Sequence, residues 1–174
     1  LQLSSGERFL TKTLIVATGA RWRTLGIPGE IENIGQGVAY CPHCDGPFFK
    51  GKKVAVIGGG NSGVEAALDL AGIVEHVTLF EFMPELKADQ VLVDQLYKKA
   101  NIDVKTNSAT QEIVAHDSKV TGITYQDRAS EEVQTLELAG VFIQIGLLPN
   151  SEFMKDQIEM NKFGEIVIDG RCKT

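Results

Sequence analysis

Two cysteines separated by two residues are the part of this sequence best suited to chemistry. Cys41 and Cys44 lie in the stretch YCPHCD at positions 40–45. This spacing brings two sulfurs within reach of a disulfide when the second cysteine lies at the start of a helix. The start of a helix also favours the thiolate, which is the form that exchanges with other disulfides. The pair therefore indicates a redox-active dithiol.

The same spacing occurs in zinc sites, so a metal-binding interpretation stays open. A structural zinc ion needs four ligands, and the other candidate ligands form no second pair with suitable spacing. These candidates are His43, His76, His116 and Cys172. We expect no metal site and no role for Cys172. Asp45 follows Cys44 directly and is either a turn residue or the proton donor that a dithiol needs during its reduction.

A glycine-rich turn follows the dithiol along the chain. Gly58, Gly60 and Gly63 form the pattern G-x-G-x-x-G between a predicted strand and a predicted helix, which is the context that a dinucleotide-binding loop requires. The first glycine permits a tight turn, the second lets the backbone approach a pyrophosphate, and the third lets the helix pack close to the strand. Amide groups around Asn61 and Ser62 would then face the phosphates. A glycine-rich turn without a ligand is the alternative.

An acidic residue lies where the adenine ribose of a dinucleotide would bind. Glu81 ends the second predicted strand, and a carboxylate at this distance from the loop accepts hydrogen bonds from the ribose hydroxyls. It would repel a 2′-phosphate, and its neighbours Phe82 and Met83 supply no arginine to hold one. Glu81 therefore favours NADH over NADPH, unless it is simply a solvated acid at a strand end.

The segments around the loop predict a parallel sheet. Strands at 53–57, 76–82 and 102–106 alternate with helices at 61–72 and 89–100, and Asp89 is predicted to cap the second helix. This is a βαβαβ unit, in which the strands run parallel.

The period of the pattern then changes from helical spacing to alternation. TQEIVAH, KVTGITYQD and VQTLELA predict an antiparallel meander, while LIVATG and VFIQIG predict buried strands and the tail NKFGEIVIDGRC predicts a hairpin or strand. The predicted fold class is a Rossmann-like three-layer α/β domain with a parallel core sheet and an antiparallel β-meander.

Composition excludes several other classes of protein. The chain has 174 residues, of which 43% are hydrophobic and 23% charged, so a packed core is expected. The net charge of −6 without a basic cluster disfavours nucleic acid, and no apolar run is long enough to cross a bilayer. Three cysteines are too few, and odd in number, for a disulfide-stapled secreted fold, so the cytoplasm is the expected compartment.

The stretch YCPHCDGPFFKGKKVAVIGGGNSGVEAALDLAG resembles the middle of the flavoprotein subunits of alkyl hydroperoxide reductases, which are similar to bacterial thioredoxin reductases. The resemblance covers essentially the whole chain and includes ATGA at 17–20, GIPGE at 26–30, LFEFMPELKADQ at 79–90 and QIGLLPN at 144–150. CPHC, and Glu81 in place of a basic cluster, point to the peroxide-reductase branch.

The resemblance implies roles for the residues of the dithiol. Cys44 would be the sulfur nearest the flavin, Cys41 would exchange with the next disulfide of the relay, and Asp45 would be the acid–base partner. Glu65 would lie near the nicotinamide of NADH.

The resemblance also implies residues at the borders of the domain. Thr18 and Gly19 would line part of an FAD site. Gly146 would contribute to NADH binding and, with Pro149 and Asn150, would form the return crossing between two domains.

The resemblance finally implies a central segment of a longer enzyme. Residues 27–150 would be the NADH-binding domain with the dithiol, and residues 1–26 and 151–174 would be flanks of an FAD domain. The parent enzyme, a homodimer, would pass electrons from NADH through FAD and Cys41–Cys44 to a thioredoxin-like N-terminal domain and a peroxiredoxin. The isolated chain would bind NADH without acting as a reductase. The alternatives are an NADPH-dependent, thioredoxin reductase-like domain and a zinc-binding nucleotide module.

Overall fold

The computed structural model describes all 174 residues and divides them into two compact units. One unit is Trp22–Gly146, and the other consists of Leu1–Arg21 and Leu147–Thr174. The elements in chain order are β1 (Ala20–Trp22), β2 (Val38–Ala39), α1 (Pro42–Asp45), β3 (Lys53–Ile57), α2 (Asn61–Leu70), β4 (His76–Phe80), α3 (Gln90–Leu96), β5 (Ile102–Lys105), β6 (Ser108–His116), β7 (Lys119–Asp127), β8 (Val133–Glu137), β9 (Gly140–Ile143) and β10 (Leu147–Pro149).

A five-stranded sheet forms the centre of the unit Trp22–Gly146, in the order β2-β9-β3-β4-β5. All of its pairings are parallel; Val54, for example, lies opposite Val77 on β4 and Gly140 on β9. Strands in the middle of a parallel sheet are covered on both faces, which explains why β9 is buried along its whole length. The predicted βαβαβ unit and the predicted buried strand VFIQIG are both confirmed.

Both helices that cross over the sheet are shorter than their patterns predict. α2 ends at Leu70 instead of Gly72, and α3 ends at Leu96 instead of Ala100. After Tyr97, the amides of Lys98 and Lys99 bond to carbonyls three residues back. These tighter turns end the α-helical ladder.

The predicted meander is a separate antiparallel sheet in the order β6-β7-β8. Ile113 lies opposite Ile123, and Tyr125 lies opposite Gln134. Two register irregularities interrupt β6, between Thr110 and Glu112 and between Val114 and Ala115. Such bulges bend a strand and increase its twist.

The parallel sheet has two apolar faces because successive side chains of a strand point to opposite sides. Val54 and Val56 of β3 pack with Val64, Ala67 and Leu70 of α2. On the other face, Ala55 and Ile57 of β3 pack with the meander residues Ile113, Ile123 and Tyr125. The Tyr125 ring also lies 4.8 Å from the Phe80 ring, centroid to centroid. Helices, parallel sheet and meander are therefore three layers, and the predicted fold class is confirmed.

The second unit has much less regular structure. It contains the ribbon of β1 with β10 and a 3₁₀ helix at Glu152–Met154. The predicted buried strand LIVATG is wrong: Leu14 and Ile15 are exposed and residues 14–17 make no backbone hydrogen bond. A strand needs a neighbour to pair with, and no segment of the chain pairs with residues 14–17; only Thr18 and Gly19 at the end of the segment bond to Asn150. In the tail, the predicted hairpin is reduced to one bridge between Met160 and Ile166.

None of the helices combines the length and the apolar character that crossing a membrane would require.

Candidate dinucleotide and dithiol site

The glycine loop joins the carboxyl end of β3 to the start of α2. Gly58 has a φ of +117°, a conformation that favours glycine, and its amide bonds to the Phe80 carbonyl at 2.9 Å. A side chain on Gly63 would collide with the Gly58 carbonyl. The loop and helix can therefore pack this closely only with glycine at both positions.

The first turn of α2 presents unbonded amides. Gly60 precedes the helix, and a Cβ atom there would meet only open space. Val64 is the first residue whose amide bonds back, to the Gly60 carbonyl at 3.0 Å. The amides of Asn61, Ser62 and Gly63 have no partner within the helix, so they remain available to an anion such as a pyrophosphate. This geometry fits the dinucleotide that the motif predicts.

Asn61 also joins the two helix starts. Its Oδ1 atom accepts the Asp89 amide at 2.7 Å, and its Nδ2 atom donates to Asp89 Oδ2 at 3.0 Å. Asp89 lies at the position before α3 but does not cap the helix with its side chain. The predicted cap is wrong in this respect, because the Asp89 carboxylate bonds to Asn61 instead.

Glu81 is the acid that the sequence places at the adenine ribose. Its Oε2 atom accepts the Gly59 amide at 2.5 Å, and its Oε1 atom accepts the Met83 amide at 2.7 Å. The side chain is half-buried. Gly58, Glu81 and Phe82 also line a cavity of about 290 Å³. Glu81 therefore holds the glycine loop and borders the space beside it.

The cysteine pair forms a disulfide at the start of a helix. Cys41 immediately precedes α1, Cys44 lies within it, and a disulfide joins them with their Cα atoms 5.3 Å apart. The Cys44 amide donates to Cys41 Sγ at 3.2 Å. Cys172 is free and exposed. No three His, Cys, Asp or Glu side chains come together in an arrangement that could hold a metal ion.

Two ionisable residues accompany the disulfide. Asp45, the last residue of α1, is half-buried, and its carboxylate makes no hydrogen bond within the chain. His43 is exposed between the cysteines, with Nε2 3.6 Å from Asp69 Oδ2 on α2. The sequence pattern did not indicate a contact between this histidine and α2.

A fully buried glutamate fixes the backbone that leads into the dithiol. Glu30 accepts the amides of Leu25 and Gly26 at 3.0 and 2.7 Å, and it accepts the Tyr40 hydroxyl at 2.9 Å. Gln144 donates to the Tyr40 carbonyl at 2.7 Å. Burial, together with the bond to Glu30, raises the pKa of Tyr40 to about 12. Because Tyr40 precedes Cys41, these bonds position the disulfide.

Sequence reasoning missed Glu30 because it lies in a connector rich in glycine and proline, where acids are normally exposed. The local pattern contains no sign that residues 25, 26 and 40 converge on it.

The dithiol and the nucleotide helix border one groove of about 610 Å³. Cys41 lines it from one side, and Ser62 and Glu65 line it from α2. The structure thus brings the predicted residues 41, 62 and 65 to a common space within a single unit.

The residues predicted for a flavin site lie in the other unit. Thr18 Oγ1 donates to the Asn150 carbonyl at 2.6 Å, and Asn150 Nδ2 donates to the Thr18 carbonyl at 3.0 Å. The Asn150 amide bonds to the Gly19 carbonyl at 2.9 Å. Gly146, at a φ of +97°, belongs to the unit Trp22–Gly146. Assignment of these residues to cofactors, and of the domain boundaries to residues 27 and 150, stays a prediction.

Comparison with known proteins identifies relatives over the whole chain. The family profile described as pyridine nucleotide-disulphide oxidoreductase matches residues 1–174. An alkyl hydroperoxide reductase subunit of Escherichia coli (strain K12) is 56% identical over 174 residues, which is 100% of this chain and 33% of that protein. A protein named NADH dehydrogenase from Ferdinandcohnia aciditolerans is 59% identical over the same length, again 33% of that protein.

Solved structures show the same fold. The crystal structure of Lactococcus lactis thioredoxin reductase superimposes with a TM-score of 0.87 and 36% sequence identity, covering 98% of this chain and 56% of that one. The chain spans about a third of the length of the curated relatives that it matches.

Proposed function

The chain belongs to the pyridine nucleotide-disulphide oxidoreductase family, and from that premise we propose that it is the NADH-binding and redox-dithiol part of a flavin-dependent disulfide reductase. One observation carries the proposal: the Cys41–Cys44 disulfide and the helix of the dinucleotide loop border the same groove. A nicotinamide donor and a disulfide acceptor both exchange electrons in pairs. A dinucleotide-type loop and a disulfide in one unit therefore support a two-electron relay.

In the proposed function, different residues of this chain bind different parts of the dinucleotide. Amides at the start of α2 bind the pyrophosphate, Glu81 binds the ribose, and Glu65 lies toward the nicotinamide. FAD would be held in the longer enzyme by residues that include Thr18 and Gly19, and it would supply the two-electron link between nicotinamide and disulfide.

Reduction of the disulfide takes up two electrons and two protons. The S–S bond would break to give two thiols, with Cys44 on the side of the flavin, and Cys41 would lose its proton to attack the next disulfide as the thiolate. The hydride supplies the electron pair and one proton. Asp45 supplies the other proton, and its lack of a competing hydrogen bond leaves it available for that task.

The proposed electron donor is NADH. Glu81 accepts the Gly59 amide of the glycine loop and the Met83 amide, and a carboxylate held there would repel a 2′-phosphate. The relative from Ferdinandcohnia aciditolerans, which is named an NADH dehydrogenase, supports the same choice.

The proposed acceptor is a peroxide-reducing system. Similarity to the alkyl hydroperoxide reductase of Escherichia coli supports transfer through a thioredoxin-like domain of the same parent protein to a peroxiredoxin. We place the parent enzyme in the cytoplasm, where an exchanging dithiol is maintained, and expect it to be a homodimer.

A thioredoxin reductase-like domain that uses NADPH is the second candidate, because the Lactococcus lactis thioredoxin reductase has the same fold over 98% of this chain. Nucleotide preference separates the two candidates. Calorimetric titration of the chain should give tighter binding of NADH than of NADPH, and Glu81→Arg should narrow or reverse that difference, by roughly ten- to a hundredfold. Equal affinities, or a preference for NADPH in the unsubstituted chain, would favour the second candidate.

The dithiol is tested on the same preparation. Thiol counts before and after mild reduction should differ by two, because Cys172 is free throughout. The chain alone should be colourless and should not oxidise NADH with a peroxiredoxin and peroxide present. Stoichiometric FAD, or zinc that survives dialysis, would contradict the proposal.

A further inference from the structure

The backbone that carries Glu81 is held on its carbonyl side by residues at the start of the meander and in its β7–β8 turn. The carbonyls of Glu81, Phe82 and Met83 accept hydrogen bonds from Ser108, Arg128 and Asn107, respectively. The Ser108 and Asn107 bonds come from backbone amides at 2.9 Å. The Arg128 bond comes from the guanidinium group at 2.8 Å. Three consecutive carbonyls after β4 are therefore bonded by the start of β6 and by the β7–β8 turn, while the Glu81 amide bonds to the Lys105 carbonyl of β5 at 2.9 Å.

Arg128 is the side chain in this arrangement. Its guanidinium carbon lies 3.8 Å from the centroid of the Phe82 ring, which is a cation–π contact. Its own amide donates to the Asn107 carbonyl at 2.7 Å. One arginine thus contacts both segments that border Glu81.

The turn that presents Arg128 is itself ordered. Asp127 Oδ1 accepts the amides of Ala129 and Ser130 at 2.7 and 3.1 Å. These bonds hold the pKa of Asp127 below its ordinary value. The β7–β8 turn therefore points the arginine in a defined direction and reduces the entropy that its side chain would lose on stacking.

We propose that Arg128 is a positioning residue for nucleotide selection, which acts by holding the segment 81–83 so that the Glu81 carboxylate stays bonded to the Gly59 amide beside the ribose site. This inference rests on the proposed NADH-binding function. The chain of contacts runs from Arg128 through Phe82 to Glu81 and then to the glycine loop. In this proposal Arg128 acts through Phe82 and Glu81 and makes no contact with the nucleotide.

The same contacts distinguish a positioning role for Arg128 from a role in binding the 2′-phosphate of NADPH. The guanidinium group is committed to the Phe82 ring and the Phe82 carbonyl. A 2′-phosphate bound through Nη1 would have to displace the Phe82 carbonyl. Loss of Arg128 should therefore weaken NADH binding more than NADPH binding, because it releases Glu81 and removes no phosphate contact.

The test uses calorimetric titration of the chain with NADH and NADPH. In Arg128→Gln, we expect the dissociation constant for NADH to rise by about three- to tenfold and the preference for NADH to narrow. Arg128→Lys keeps the charge but lacks the planar group, so its dissociation constant for NADH should lie between those of the unsubstituted chain and Arg128→Gln. The matched control is Arg171→Gln, which removes the same charge from a guanidinium group with no hydrogen bond or ion pair, and should leave binding unchanged.

Other results of these titrations would overturn the inference. Unchanged NADH binding in Arg128→Gln would overturn the inference alone, as would equal losses in the two Gln variants. A greater loss for NADPH would make Arg128 a phosphate ligand and overturn it as well. Failure of the unsubstituted chain to bind NADH would overturn the proposed function together with the inference. If Arg128→Gln does not fold, Phe82→Leu, which removes the ring and keeps the arginine, carries the same expectation.

Discussion

Two glutamates organise the two halves of the site, and their surroundings differ. Glu30, before the dithiol, accepts two backbone amides and a tyrosine hydroxyl and is completely buried. Glu81, after β4, also accepts two backbone amides but is half-buried beside a cavity. A carboxylate with every lone pair directed into the protein can only support structure. A carboxylate with one side open can hold a loop and still meet a ligand.

The largest expected effect is on stability and comes from Glu30. Glu30→Ala leaves the Tyr40 hydroxyl and two amides without an acceptor inside the protein, and should lower the free energy of unfolding by about 3–5 kcal/mol. Glu81→Ala should cost about 1 kcal/mol, because water can reach the groups that it leaves unpaired. Urea unfolding measures both values.

The control for this comparison is Glu32→Ala, since Glu32 is exposed in the same connector and makes no side-chain hydrogen bond. Its stability should match that of the unsubstituted chain. Equal losses for Glu30→Ala and Glu81→Ala would contradict the distinction between a structural and a ligand-facing acid.

Two glycines of the dinucleotide loop should differ in whether they matter for stability or for ligand binding. Gly63→Ala places a methyl group against the Gly58 carbonyl and should destabilise the chain by about 1–3 kcal/mol. Gly60→Ala adds a methyl group in open space, so it should leave the unfolding midpoint nearly unchanged while weakening NADH binding. Thermal unfolding and calorimetry on both variants provide the measurement. Loss of stability in Gly60→Ala would show that its role is in packing.

The smallest expected effect is on the pH dependence of stability, through the hydrogen bond between Tyr40 and Glu30. The ordinary pKa of tyrosine is 10.0, and that of folded Tyr40 is raised to about 12. The neutral hydroxyl therefore contributes its full stability below pH 10, and this contribution is lost as the pH rises from 10 towards 12. The difference in unfolding free energy between the unsubstituted chain and Tyr40→Phe should shrink between about pH 10 and about pH 12. A difference that stays constant would mean that Tyr40 keeps an ordinary pKa.

Features with a local signature could be predicted from the sequence. The glycine spacing, the CxxC pair and the change from helical period to alternation each depend on neighbouring residues, and the loop, the disulfide and the meander are where they were expected. The interior position of β9 in the sheet, beside β3, agrees with the continuous apolar run VFIQIG, which is typical of a central strand.

Features that depend on distant partners could not be predicted. The importance of Glu30 depends on Tyr40, ten residues away in sequence, and on two amides of the connector. Arg128 reaches Phe82 across 46 positions. LIVATG has the composition of a strand, but composition does not reveal whether a neighbouring strand is available. Hydrogen-bond partners of this kind are set by the fold and not by the segment.

The unpaired LIVATG segment has a consequence for the behaviour of the chain in concentrated solution. Leu14 and Ile15 are 46% and 91% exposed, and the backbone groups of residues 14–17 have no partner. An extended, uncharged, β-branched segment in this state can pair with the same segment of a second molecule. Strand pairing between two molecules of the chain should therefore begin at this segment.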